Sequence, residues 1–168
     1  MLSVDALRQL LDYAAWASRR LVEAAALLAP EELTRDFGTA DHSVLGTLGH
    51  IYFSETVWLA RFERRPQPAR FPDAGALSLA EIQNGWPQVQ QRLNQWAAEL
   101  TSESAQAPLA YQDLKGRPWS QPPWQLVLHM VNHGTHHRGQ VSGFLRTLGH
   151  TPPQLDLIAF YRQPAAGA

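Results

Sequence analysis

Apolar positions recur along this chain with the 3.6-residue period of helices, in four long stretches. The first begins near Ser3 and carries Leu7, Leu10, Leu11, Ala14, Ala17, Leu21, Ala25 and Leu28, with Pro30 just beyond it. The second opens at Ser43, a side chain suited to capping a helix start, and turns Val44, Leu48, Ile51, Trp58, Leu59 and Phe62 inward. Ser78-Leu79-Ala80-Glu81 has capping-box spacing and opens a third helix toward Leu100. Pro87 inside it lacks a backbone donor and crowds the preceding turn, which predicts a kink or two abutting helices. The fourth is predicted from about Ser120, with Pro122 and Pro123 in its first turn. It runs to Leu148, where Gly149 can take the left-handed conformation that ends a helix.

The segments between are equally informative. Pro66, Pro68 and Pro72 mark a loop, and residues 107–120 read as an extended excursion turning at Asp113-Leu114-Lys115-Gly116. A short hairpin there would precede the last long helix, and Leu155 to Tyr161 predicts a short final helix. The whole predicts an all-α fold, a four-helix bundle with a long crossover. One domain is expected over residues 1–162, with a frayed tail over 163–168.

Composition narrows the chemistry. With 168 residues, 45% hydrophobic and 17% charged, the chain can bury a sizeable core. A formal net charge of −1 gives no footprint for nucleic acid. No long uninterrupted apolar run and no signal-peptide pattern are present, so a cytoplasmic protein without a membrane partner is expected. The absence of cysteine removes disulfides, thiolate ligands and cysteine nucleophiles at once. A metal site must therefore use histidine and carboxylate. Arg61, Arg64 and Arg65 crowd the end of the second helix, where cations complement the helix dipole.

Five of the seven histidines fall in the second and fourth helices: His50, His129, His133, His136 and His137. The pairs 129/133 and 133/137 have i,i+4 spacing, which stacks two imidazoles on one helix face within reach of a single ion. The apolar stripe of that helix is Leu126, Met130, Val141, Phe144 and Leu148. At about 100° per residue His137 lies within it, His133 at its edge, and His129 and His136 outside. The inward pair is His133/His137, and a metal would satisfy its buried nitrogens. His50 lies on an uncharged face with Gly46, Phe53 and Val57 and can point into the same cavity. A core histidine satisfied by hydrogen bonds remains the alternative for it. Gln140 shares the histidine face, and Asp156 is a candidate to cap the last short helix or to orient a ligand histidine. Tyr13 and Trp16 read as core residues, with the border of the pocket as the alternative, His42 and His150 as helix-end residues, and His136 and Arg138 as structural or exposed.

Tyr13-x-x-Trp16, Ser43-x-x-x-Thr47-Leu48-x-His50 and His129-x-x-x-His133-x-x-His136-His137-Arg138-Gly139-Gln140 together resemble the DinB/YfiT-like metalloenzyme family. Leu145-Arg146-x-Leu148-Gly149-x-x-Pro152-Pro153-x-x-Asp156 resembles the same family's ending. The resemblance implies a divalent metal, zinc or nickel first, held by His50, His133 and His137. It also implies a low-molecular-weight thiol as cosubstrate, since relatives include bacillithiol S-transferases and a mycothiol-dependent maleylpyruvate isomerase. On that reading the chain transfers a thiol to a small-molecule electrophile, and a homodimer is expected. Gly134 stands where the zincin motif has its glutamate general base, which argues against that peptidase route. A hydrolase of another kind, a non-catalytic metal- or ligand-binding stress-response protein, and a metal-free bundle remain as alternatives.

Overall fold

A computed structural model of the chain describes residues 2–70, 73 and 76–163. Pro72 of the proline-rich stretch and the expected tail from 164 onward lie outside the described residues. The elements run α1 (Val4–Ala25), α2 (Pro30–Thr34), α3 (Val44–Phe62), α4 (Leu79–Ala98), β1 (Leu109–Gln112), β2 (Pro118–Gln121), α5 (Pro123–Thr147) and α6 (Leu157–Tyr161). The four long helices form the predicted bundle. Each of α1 and α3 packs against both α4 and α5, so α1 faces α3 across the diagonal.

The serine caps form as their spacing predicts. Ser3 accepts from the Ala6 amide, Ser43 from Gly46 and Ser78 from Glu81, and the Glu81 carboxylate returns to the Ser78 amide at 2.7 Å. At the far end of α5, Gly149 takes φ 87° and the His150 amide reaches back to the Leu145 carbonyl at 2.9 Å. Two apolar clusters make the core, one around Trp58, Leu93 and Met130, the other around Leu48, Trp86 and Leu145.

Three expectations change. α4 is one helix through Pro87, not two abutting ones. Pro87 and Gln83 are both exposed, so water can satisfy the carbonyl that proline leaves without a donor. Ser120 belongs to β2 rather than to the start of α5, which begins at Pro123 with Pro122 as its cap. A residue before proline is held extended, and here that keeps Gln121 and Pro122 out of the helix. The chain is thereby free for the antiparallel hairpin, in which Leu109 pairs with Gln121 and Gln112 with Pro118. The last helix starts at Leu157, two residues later than its apolar run, and α2 had no periodic signal at five residues long. Among the described residues, no helix is long and apolar enough to cross a membrane.

Candidate metal centre

His50 projects from the second turn of α3, and His133 and His137 from the middle of α5, where these two helices pack. One nitrogen from each of the three rings falls within a common span of 4.8 Å. The His50 and His133 Nε2 atoms are 3.1 Å apart, and the ring centroids are separated by 4.4 to 5.0 Å. Two nitrogens each bound at about 2.0–2.1 Å to a tetrahedral ion stand ~3.3 Å apart, so the cluster has the dimensions of a histidine ligand set.

The other ring nitrogens are held from behind. Asp41 Oδ1 lies 3.2 Å from His50 Nδ1, and its Oδ2 lies 3.6 Å from His137 Nδ1. Gln140 Oε1 is 2.7 Å from His137 Nδ1, close enough to accept its proton. With the Nδ1 atoms so occupied, Nε2 of both rings is left to face an ion. Burial, and then the neighbouring imidazoles of His137, His50, His129 and His136, push the His133 pKa down to about 3. Burial also lowers that of His50, against the pull of Asp41. Both effects favour neutral imidazole, the form that donates a lone pair to a metal. The residues present therefore fit a divalent transition metal.

Asp41 reaches the site by a loop pinned at both ends. Phe37 stacks on Phe144 of α5, with centroids 4.2 Å apart and planes at 7°. On the other side, the Asp41 carbonyl lies over the first turn of α3, where a Cβ on residue 46 would stand 2.1 Å from it. Gly46 is what permits that approach. Sequence reasoning missed Asp41, because nothing in its local pattern distinguishes it from any loop aspartate. Asp156, read as a cap for the last helix or as an orienting carboxylate, occupies the N-cap position of α6, and its side chain makes no capping bond.

The remaining histidines stay outside the cluster. His129 packs its ring edge on Trp58 at 5.4 Å and lies 6.0 Å from His133, while exposed His136 rests against His137 at 5.0 Å. His42 pairs with Asp36, and His150 ties the end of α5 to Glu32 of α2. Arg138 is buried between α5 and α1, with its guanidinium over the Tyr13 ring and hydrogen-bonded to Thr135 Oγ1 at 3.0 Å. It passes directly beneath Gly134, where a Cβ would stand 2.7 Å from its Nη1. A zincin-type glutamate at that position would have to displace a buried arginine. Glu55, to which the sequence assigned no role, is also buried and accepts a 2.6 Å hydrogen bond from the Trp86 indole.

A four-helix bundle whose centre joins three imidazoles, backed by a carboxylate and an amide, defines a class: helical proteins with a histidine site able to hold a metal. The particular family follows from comparison. The DinB family model matches residues 1–165, and the chain belongs to the DinB family. It is 23% identical over 159 residues to the Bacillus subtilis (strain 168) protein DinB, covering 88% of this chain and 89% of that one. Its fold is similar to the crystal structure of a DinB-like protein from Bacillus cereus ATCC 10987, with a TM-score of 0.64 at 22% identity. That alignment covers 86% of this chain and 94% of the other.

Proposed function

We propose that the protein is a metal-dependent enzyme that joins a low-molecular-weight thiol to a small electrophile, with His50, His133 and His137 as the metal ligands. The observation that carries this reading is the convergence of three imidazole nitrogens, two of them backed by Asp41 and Gln140. Among the described residues, no fourth histidine or carboxylate joins the group. That supports an open position of the kind catalytic sites keep and structural sites fill. A divalent ion held there supplies Lewis acidity, which lowers the pKa of a thiol or water that reaches it.

This chain's residues supply orientation and charge. Asp41 and Gln140 fix the ring planes and raise the electron density of the imidazoles they touch. His50, His137 and Asp41 keep only 22%, 13% and 18% of their side-chain surface exposed, so solvent access is limited. In the transfer the thiol loses its proton, a C–S bond forms, and a leaving group on the electrophile departs with the bonding pair. With no cysteine in the chain, the sulfur must arrive on a small molecule.

The test is thiol-dependent conjugation of an aryl chloride reporter by protein loaded with zinc or nickel. Activity that requires the thiol and vanishes in His137→Ala supports the reading. Loaded protein inactive with every low-molecular-weight thiol, across several electrophile classes, defeats it.

A further inference from the structure

The end of α3 is built in an unusual way. The Arg64 amide bonds the Arg61 carbonyl at 3.1 Å and the Arg65 amide bonds Ala60 at 2.8 Å, the pair of bonds that closes a helix through a left-handed residue. Glycine ordinarily takes that position, yet Arg64 occupies it at φ 53°. Beside it, a groove of about 470 Å³ runs between the helix end and β1, lined by Arg61, Arg64, Arg65, Gln67 and Tyr111 and by no carboxylate.

Arg61 is held in place there. Its guanidinium lies 4.4 Å from the Trp58 ring centroid and 5.0 Å from that of Tyr111. Its Nε donates to Gln67 Oε1 at 2.7 Å, and the Gln67 amide is itself anchored on the Asp113 carbonyl at 3.1 Å. Arg65 is paired with Glu63, and the Asp113 carboxylate is committed to Arg117. Arg61 and Arg64 have no carboxylate at ion-pair distance among the described residues. Compensation of the helix dipole alone would be met by exposed cations with glycine at position 64. It requires neither a clamped guanidinium nor an arginine in a left-handed backbone.

We propose that this groove is a binding subsite for the carboxylate or phosphate end of a small anionic ligand. Arg61 presents its two Nη groups as a planar fork, the geometry that matches either oxyanion. Arg64 adds a second charge. The α3 dipole opposes an anion at this end with about half a charge, and two guanidinium groups outweigh it. Trp58, buried beneath Arg61, connects the groove with the metal centre: its ring also meets His129, which in turn lies against His133. On the enzymatic reading given above, on which this link rests, the ligand's reactive end lies toward the three histidines.

The experiment uses the full chain, stripped of metal and titrated at fixed ionic strength with inorganic phosphate and with succinate. It is followed through the arginine Nε–H and tryptophan indole resonances. Saturable shifts at Arg61 and Trp58 are expected with at least one probe. Saturation by phosphate assigns a phosphoryl ligand, and saturation by succinate a carboxylate. Arg61→Gln and Arg64→Gly should each weaken binding roughly tenfold, while Arg19→Gln, far along α1, leaves it unchanged. Arg64→Gly should also unfold at the same or a higher temperature, since it relieves the left-handed backbone, so lost binding cannot be put down to misfolding. Shifts that never saturate with either probe, or constants unaltered by both variants, overturn the proposal. Failure of anion binding in protein that still takes up zinc defeats the subsite alone. Anion binding in protein that takes up no metal defeats the reading of the metal centre alone.

Discussion

At the scale of single residues, the site depends on a carboxylate that is not itself one of the three imidazoles. Asp41 touches both His50 and His137 and is half-buried in a loop, so its charge acts on the ligands more than on the core. Asp41→Asn should weaken metal binding about 10–100-fold, as removal of such orienting partners does elsewhere, with little change in the unfolding temperature. Competition against a chromophoric chelator measures this, and an unchanged affinity would show that the carboxylate is incidental. His133 and His137 were legible because a helix stripe separates inward from outward positions, whereas His50 rested mainly on the family resemblance. The stripe selected His133 and His137 over His129 and His136, and the structure brings the selected pair together with His50. Asp41 was not legible, because its position depends on how a loop crosses α3.

At the scale of elements, two glycines decide how closely chains approach. Gly46 lets the Asp41 backbone lie on the first turn of α3, and the obstructing atom is a carbonyl that cannot rotate away. Gly46→Ala should therefore push the loop outward and weaken metal binding by the same order as Asp41→Asn, although position 46 touches no ligand. Chelator competition checks it. Gly134→Ala tests the opposite balance. Alanine gains about 1 kcal/mol of helix propensity, but its Cβ meets the buried Arg138 guanidinium, which would have to leave its hydrogen bonds to Thr135 and Ser18 to make room. Overpacking of this kind costs about 1–3 kcal/mol, so a net loss of stability in urea unfolding is expected. A gain would mean that Arg138 moves aside. The helices were legible at this scale through Ser3, Ser43, Ser78 and Gly149, whose caps are local chemistry. The start of α5 was misplaced because Pro122 and Pro123 after Ser120 read as the first turn of a helix, while strand pairing of Ser120 with Ala110 is a tertiary event.

At the scale of the whole molecule, the bundle buries two ionisable side chains of opposite type, Glu55 and Arg138. Glu55 on α3 is pushed above the ordinary carboxylate range by burial, against its hydrogen bond from Trp86 and the pull of Arg138 on α5. A group whose folded pKa is raised holds its proton more tightly in the native state. Its contribution to stability is full below the ordinary value of 4.5 and is lost as pH rises through the folded value. Glu55→Gln keeps an oxygen for the Trp86 indole and removes that titration. The difference in unfolding free energy between wild type and variant should therefore shift in favour of the variant from pH 4.5 upward. A difference constant with pH would show that Glu55 does not titrate in the native state. The burial of neither side chain was legible in the sequence, since arginine and glutamate on long helices ordinarily face water.

All of this converges on whether the three imidazoles hold an ion. The most direct measurement is elemental analysis of the chain purified without a histidine tag, beside His137→Ala prepared in the same way. One zinc or nickel per wild-type chain, falling well below that in the variant, is the result predicted. A stoichiometry near zero in the wild type, not restored by added zinc, nickel or manganese, would contradict it.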